Sequence, residues 1–325
     1  MQIDHDSLLV AVAFSSGALF LSLGAAWLQS RQDTYLFRIA AAALLLAVCT
    51  PVFGMFRAEG HWLAGVIFFP VLLAGMAFLY GAAHEFRFAG SPTWRILAAS
   101  AASILPVSIP FLSGLDGLAF VAGNVGCAAL LGLSGWHYFR KRSEAPRLLA
   151  VMASIYAATS ASFALCAVAI AVDTPLRLDG YPQNWAEDIN AFMAIIGVAG
   201  CGAISLSLNH ARAAAKHRRE AMTDSLTGLM NRRALFASHG AAPVPAGCAV
   251  FLLDLDSFKA VNDTYGHDFG DEVLRRAGAC IFMHAQSVGN ASSARLGGEE
   301  FAVVAERMAA ADAIAVAMRG WKGTA

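Results

Sequence analysis

Residues 294–304 read Ala-Arg-Leu-Gly-Gly-Glu-Glu-Phe-Ala-Val-Val, and this stretch decides how the C-terminal part of the chain folds. Short strand-like runs flank Gly297 and Gly298 on both sides, a pattern typical of two antiparallel strands joined by a tight turn. Glycines at such a turn remove side chains where a ligand must approach the backbone. We therefore predict a β-hairpin whose turn carries Glu299.

A second apolar run lies earlier in the chain and ends in carboxylates. Residues 248–253 read Cys-Ala-Val-Phe-Leu-Leu and precede Asp254-Leu255-Asp256, which predicts a buried strand with carboxylates at its C-terminal end, where ligand sites of α/β sheets lie. Residues 257–271 are predicted to form a turn and loop that lead into a helix ending near residue 284. Since Mg²⁺ is held by one or two carboxylates plus substrate phosphates, Asp254 and Glu299 are candidates to bind one metal ion and support phosphoryl transfer.

Three blocks in this region resemble, in the same order, the defining motifs of GGDEF-type diguanylate cyclase domains. Residues 224–233 match the family's DxLTGLxNRR segment, residues 254–271 match its DxDxFKxxNDxxGHxxGD block at every defined position, and residues 297–301 match its signature. A Gly-Gly hairpin alone is a weak signal, whereas three ordered blocks are specific. The resemblance implies an α+β, ferredoxin-like or palm-like domain that condenses two GTP into cyclic di-GMP and releases two pyrophosphates.

The resemblance also implies roles for individual residues. Mg²⁺ or Mn²⁺ would be held by Asp254, the carbonyl of Leu255 and Glu299, and Glu299 would also be the catalytic proton acceptor. Catalysis in the family requires two facing domains with one GTP each, so a homodimer through the GGDEF domains and the preceding linker helix is expected. The substrate-binding positions implied for the guanine are Asn262 and Asp271, and those implied for the phosphates or the rim of the nucleotide are Phe258, Lys259, Arg295, Gly297 and Gly298.

Two features depart from the family's pattern. Many members carry an RxxD product-inhibition site, but the corresponding stretch here is Val288-Gly289-Asn290-Ala291, so no inhibitory site is expected. Only 24 residues follow Phe301, with one Ala-rich helix near 309–321, whereas family domains continue with a strand, a basic helix and a final strand. We therefore expect a domain that lacks its last elements, an exposed sheet edge and weak or absent cyclase activity. A catalytically inactive, GTP-binding regulatory GGDEF module is the alternative.

The first two thirds of the chain have a different chemistry. Of the 325 residues, 58% are hydrophobic and only 14% are charged, which is too apolar for an ordinary soluble protein. We predict a multi-span α-helical membrane domain over residues 1–209, in which Pro106 and Pro110 interrupt the fourth span. The stretches long enough to cross a hydrocarbon core of about 30 Å are 7–29, 36–56, 62–82, 96–113, 117–138, 148–172 and 189–209.

The placement of Lys and Arg predicts the orientation of this domain. Nearly all lie on one side of the predicted spans, and the opposite side holds only Arg57 and Arg177, which places the N-terminus outside and the C-terminus in the cytoplasm. The chain is thus expected to be a multi-pass protein of the bacterial inner membrane, in contact with lipid. Residues 210–222 are predicted to be a helical linker that either transmits a rearrangement or acts as a passive spacer, followed by the GGDEF domain at 223–325.

Several function classes are disfavoured. The net charge is zero, so no nucleic-acid partner is expected, and six cysteines without a CxxC pair are predicted to be small buried hydrophobes. Because no predicted span carries Asp, Glu, Lys or Arg in its interior, a transporter or channel with an appended regulatory domain is disfavoured but stays open. His84 and Glu85 are interpreted as an interfacial loop rather than a metal site, since adjacent helical residues point in different directions.

Overall fold

The chain divides into two compact units, Met1–Ala211 and Arg212–Ala325. The computed structural model describes residues 5–31, 33–59, 62–88, 90–173, 181–182, 184–240 and 247–308.

Seven helices within the described residues are long and apolar enough to cross a membrane. The predicted helical class of this part of the chain is therefore confirmed, and the fourth helix forms despite its two prolines, which membrane helices tolerate. The last helix continues to Glu220, so the stretch predicted to leave the final span as a helix is helical. The helices are α1 His5–Gln29, α2 Thr34–Glu59, α3 Trp62–Phe88, α4 Thr93–Leu112, α5 Asp116–Arg140, α6 Pro146–Asp173 and α7 Trp185–Glu220.

The prediction of an interfacial loop at His84 and Glu85 is wrong, because α3 continues past both residues. Glu85 accepts hydrogen bonds from Thr34 and Arg38 of α2, and this ion pair is largely shielded from solvent. His84 is buried on another side of α3, with its ring 5.3 Å from that of His137 on α5. The two neighbours therefore serve two different helix contacts, as their different directions on the helix require.

The second unit is a small α+β domain, as predicted. Within the described residues its strands follow the order β1-β3-β4-β2, in which β1 is parallel to β3 and the other neighbouring pairs are antiparallel. The short strand β1 was not predicted. The elements are β1 Met230–Asn231, α8 Arg232–His239, β2 Ala249–Asp254, α9 Phe258–Tyr265, α10 His267–Val288, β3 Ala291–Gly297 and β4 Glu300–Ala305.

Two hydrophobic clusters fix this sheet. The first lies between the sheet and helices α9 and α10, and its buried members are Leu229, Phe258, Leu274 and Phe301. The second lies beneath α8, and its buried members are Leu235, Ala294, Ala302 and Val304. Because successive residues of β4 alternate between the two clusters, the hairpin of β3 and β4 is held from both faces.

Two local predictions for this unit are wrong. The strand β2 is only half buried, with Val250 and Leu252 exposed to 54% and 73%. Alternate side chains of a strand point to opposite faces of the sheet, and these two belong to neither hydrophobic cluster of the described residues. The predicted turn and loop after β2 contains a short helix, α9, which meets α10 at Gly266, a residue with the left-handed φ of +83°. The helix predicted to end near residue 284 is confirmed as α10, which ends at Val288. The helix predicted near 309–321 lies outside the described residues.

Candidate functional site

The pairing of β2 with β4 brings two carboxylates to one edge of the sheet. Asp254 ends β2 and is the backbone partner of Glu300, the first residue of β4. The hairpin turn of Gly298 and Glu299 therefore lies next to the end of β2. Asp254 is exposed and Glu299 is partly exposed, so both carboxylates are accessible to a ligand.

A strained turn carries the chain away from β2. Ser257 adopts the left-handed conformation with φ of +59°, which costs a residue with a side chain roughly 1–2 kcal/mol. The carbonyl of Leu255 accepts a long hydrogen bond of 3.4 Å from the N–H of Phe258. This oxygen keeps lone-pair capacity for a cation.

The oxygen atoms available as metal ligands at this edge of the sheet suit a hard divalent cation. Two carboxylates and a backbone carbonyl form an oxygen-only set, which suits Mg²⁺ or Mn²⁺. Within the part of the chain that the structure describes, no group of three or more His, Cys, Asp and Glu side chains is placed to hold a metal ion. The remaining coordination positions would be filled by water and by phosphate oxygens of a ligand, as is usual for Mg²⁺.

Arg295 holds the hairpin turn in place. Its Nε and Nη2 atoms donate to the carbonyl of Gly298 at 2.9 and 2.7 Å, and its Nη1 donates to Oδ1 of Asp224 at 3.1 Å. Asp224 also accepts hydrogen bonds from the N–H and hydroxyl of Thr227, at 3.0 and 2.8 Å. The guanidinium thus connects the segment that opens the domain to the turn that carries Glu299.

The corner between α9 and α10 gathers a second set of polar residues. Asn262 lies in the last turn of α9, and its carbonyl accepts the N–H of Gly266 at 2.9 Å. Gly270, in the first turns of α10, lies so close to the Asn262 side chain that a Cβ at this position would collide with its Oδ1. Asp271 is the next residue, so Asn262 and Asp271 belong to one helix–helix corner.

Comparison with known proteins shows which family has this arrangement. The sequence profile of the diguanylate cyclase GGDEF domain matches residues 221–322. Residues 221–322 are a GGDEF domain. Over 108 residues the chain is 42% identical to the response regulator PleD of Caulobacter vibrioides, covering 30% of this chain and 22% of PleD. It is 43% identical over 95 residues to the diguanylate cyclase VdcA of Vibrio cholerae, covering 28% of this chain and 26% of VdcA.

Among solved structures, the coiled coil and GGDEF domain of DgcB from Caulobacter crescentus in complex with c-di-GMP is 32% identical to this chain. The match covers 36% of this chain and 63% of that one, with a TM-score of 0.32. The chain spans about a quarter of the length of the curated relatives PleD and VdcA.

The GGDEF domain places the residues implied for the phosphates or rim of the nucleotide in different environments. Phe258 is only 8% exposed and packs in the hydrophobic core beneath the α9–α10 corner, so its ring supports the site from inside. Lys259 is exposed and accessible to a ligand. Arg295 is already engaged by Gly298 and Asp224, which gives it a positioning role at the turn.

Sequence reasoning missed three residues that shape the GGDEF site. Asp224 and Thr227 lie in the first of the three motifs, and no role is predicted for them, although an Asp followed three residues later by Thr is typical of a side-chain-stabilised turn. Gly270 likewise lies in the second motif, residues 254–271, and no role is predicted for it. Its importance depends on the close approach of Asn262, which no local sequence pattern reveals.

The charge of Asp224 is favoured in the folded GGDEF domain. Burial raises the pKa of this carboxyl, but the hydrogen bonds from Thr227 and from the Arg295 guanidinium lower it by more, so its pKa lies below the usual range. A carboxyl whose folded pKa is lowered stabilises the fold at all pH values above its unfolded pKa of about 3.9, and loses that contribution as the pH falls through the folded value. At neutral pH the contact with Arg295 is therefore fully formed.

We predict that Asp224→Asn loosens the opening segment of the GGDEF domain at neutral pH. Replacing a charge-assisted hydrogen bond with a neutral one should cost about 1–2 kcal/mol, which corresponds to roughly 5–30-fold faster amide exchange where local opening controls exchange. The exchange rate is measured by hydrogen–deuterium exchange in the 325-residue protein in detergent, on peptides that cover residues 224–229.

The matched control is Glu272→Gln, which removes an exposed ion pair with Arg275 and Arg276. Because exposed pairs contribute little, this variant should change exchange at residues 224–229 by less than about twofold. Equal exchange in Asp224→Asn and the wild type would show that the Asp224–Arg295 contact does not hold this segment.

Proposed function

We propose that the chain is a membrane-bound diguanylate cyclase that condenses two GTP molecules into cyclic di-GMP and two pyrophosphates. The observation that carries this proposal is the pairing of β2 with β4, which sets Asp254 beside the Gly298–Glu299 turn of a GGDEF domain. The similarity to VdcA, a protein named diguanylate cyclase, supports it.

Each group at the sheet edge has a task in this reaction. Asp254, the carbonyl of Leu255 and Glu299 would hold Mg²⁺ or Mn²⁺. Such an ion neutralises charge on the phosphates and lowers the pKa of the attacking ribose hydroxyl when it is bound. A carboxylate oxygen of Glu299 accepts the proton of that hydroxyl, while Gly297 and Gly298 let the triphosphate approach the backbone without obstruction.

The α9–α10 corner would recognise the base. A carboxylate accepts two hydrogen bonds in parallel, which matches the adjacent N1–H and N2–H donors of guanine to Asp271. The carboxamide of Asn262 both donates and accepts, so it can read a second edge of the base. Lys259, exposed at the start of α9, is available to the phosphates.

The membrane part would anchor and control this domain. We place the helix bundle at residues 1–209, the linker at 210–222 and the GGDEF domain at 223–325, with the N-terminus outside the bacterial inner membrane and the GGDEF domain in the cytoplasm. The excess of Lys and Arg on one side of the seven apolar helices supports this orientation. Since one domain holds one GTP, the condensation needs a homodimer, formed through the GGDEF domains and the linker helix.

We predict that the 325-residue chain, purified in detergent, converts GTP to cyclic di-GMP in the presence of Mg²⁺ and releases two pyrophosphates per product. The weak or absent activity expected from the short segment after Phe301 is the competing outcome. Asp254→Asn and Glu299→Gln should each lower the rate at least about 100-fold, because each removes a metal ligand whose effect on the transition state is worth several kcal/mol. Nucleotide products separated by chromatography provide the measurement.

The matched control is Asp268→Asn, an exposed carboxylate in the first turn of α10. Asp268 lies outside the proposed metal and base contacts, so the Asp268→Asn variant should form cyclic di-GMP at a rate within about twofold of the wild type. GTP binding without turnover in the wild type would contradict the cyclase proposal and indicate a regulatory module.

We also predict that Gly270→Ala weakens GTP binding roughly tenfold or more, since the added methyl displaces Asn262 and removes about one hydrogen bond to the base. The helix itself should not suffer, because Ala favours helix over Gly by about 1 kcal/mol. Calorimetric titration of the full-length protein with a non-hydrolysable GTP analogue measures the affinity.

The control is the double variant Gly270→Ala/Asn262→Ala. If Gly270 acts through Asn262, the double variant should bind the analogue as well as Asn262→Ala alone. Losses that multiply in the double variant would assign the effect of Gly270 to something other than Asn262.

A further inference from the structure

A cavity of about 130 Å³ lies inside the helix bundle, between six of its seven long helices. Its lining comes from the N-terminal halves of α1, α3, α5 and α7 and the C-terminal halves of α2 and α6. Because successive helices joined by short connections run antiparallel, these halves lie at the same end of the bundle. This is the end that the Lys and Arg distribution directs outward.

Hydrogen-bond acceptors without donors line part of this cavity. The carboxyl group of Glu187, in the first turn of α7, has no hydrogen-bond or ion-pair partner among the described residues. Asn124 donates through Nδ2 to the carbonyl of Phe120 at 3.0 Å, which leaves its Oδ1 unpaired within the same described set. Asn124 is buried and Glu187 is partly buried. Because an acceptor shielded from water without a donor is unfavourable, a ligand that donates hydrogen bonds would satisfy these oxygens.

Aromatic faces form much of the remaining wall. Five phenylalanines line the cavity, and four of them pack in pairs with ring centroids 4.6 and 5.0 Å apart. Such faces attract cations. The guanidinium of Arg57, which also lines the cavity, lies 5.0 Å from the Tyr181 ring centroid and donates to the Tyr181 hydroxyl at 2.7 Å. The paired phenylalanines are Phe53, Phe68, Phe69 and Phe120, and the fifth is Phe163.

A second, apolar cavity adjoins the first on the side toward the middle of the bundle. It has a volume of about 100 Å³ and shares wall residues with the first. The polar end at Glu187 is therefore followed by space suited to an apolar group. The shared residues are Leu46, Leu72, Phe163 and Ala194.

We propose that this cavity binds a small amphipathic amine, with its ammonium group at Glu187 and Asn124 and its apolar or aromatic body against the phenylalanines. An apolar cavity of about 150 Å³ accommodates benzene, so a larger amine has to occupy both cavities, whose volumes are about 130 and 100 Å³. The site goes beyond the cyclase proposal, since it assigns a binding function to the bundle. It also includes α7, the helix that continues to Glu220 immediately before the GGDEF domain.

Calorimetric titration of the full-length protein in nanodiscs with 2-phenylethylamine tests this proposal. We expect saturable binding of one amine per chain. Ethylbenzene and 3-phenylpropionate should each bind at least about tenfold more weakly than the amine, since neither offers an ammonium group to the acceptors. Absence of amine binding up to about 10 mM would overturn the proposal. Tighter binding of 3-phenylpropionate would also overturn it, and would indicate an acid held by Arg57.

Matched variants locate the amine. Glu187→Gln should weaken binding at least about tenfold, because a hydrogen bond to a charged group is replaced by a neutral one. Asp188→Asn changes the adjacent carboxylate, which does not line the cavity, and should leave the affinity within about twofold of the wild type. Equal affinities of the Glu187→Gln variant and the wild type would contradict the assignment.

A second variant keeps the carboxylate and removes the space. Ala194→Leu fills the boundary between the two cavities and should abolish binding of 2-phenylethylamine, whereas unchanged binding would place the amine elsewhere. Thermal unfolding of each variant without the amine identifies any that fail to fold. Because no GTP is present, the outcome is independent of cyclase activity.

Discussion

In the GGDEF domain, six consecutive backbone pairs align β2 with β4, from Ala249 opposite Ala305 to Asp254 opposite Glu300. A slip of one residue would turn every side chain to the other face of the sheet. Phe301, 1% exposed in the core and opposite Leu253, opposes such a slip because its burial would be lost. The hydrophobic core thus determines which carboxylates meet at the sheet edge, although none of the core side chains touches a ligand there.

The two ends of the proposed nucleotide site are positioned in different ways. At the hairpin turn, glycines leave no side chain to pack, so the turn is held from outside by Arg295 through the carbonyl of Gly298. At the α9–α10 corner, the position of Asn262 depends on the absence of a side chain at Gly270. A hydrogen bond supports one end and a close contact supports the other, which makes both sensitive to residues that touch no substrate.

The sequence was informative where a pattern is repeated over many residues. Apolar stretches of 18 to 25 residues predicted the seven helices, and paired strand-like runs predicted the hairpin. Short or long-range features were missed: α9 has only eight residues, several of them polar, and the exposure of Val250 depends on what packs on that face of β2. The contacts of Glu85 with Arg38 and of Arg295 with Asp224 join residues 47 and 71 positions apart, a distance at which no local pattern operates.

The most direct measurement is the binding of Mn²⁺, followed by electron paramagnetic resonance, to the full-length protein with a non-hydrolysable GTP analogue. If Asp254 and Glu299 share one cation, Asp254→Asn and Glu299→Gln should each weaken Mn²⁺ binding roughly 10–100-fold, the range reported for losing groups that support a metal. The double variant should be little weaker than either single variant, because ligands of one site act as a unit. Losses that multiply independently, or a full-affinity Mn²⁺ site in either single variant, would contradict a shared metal ion.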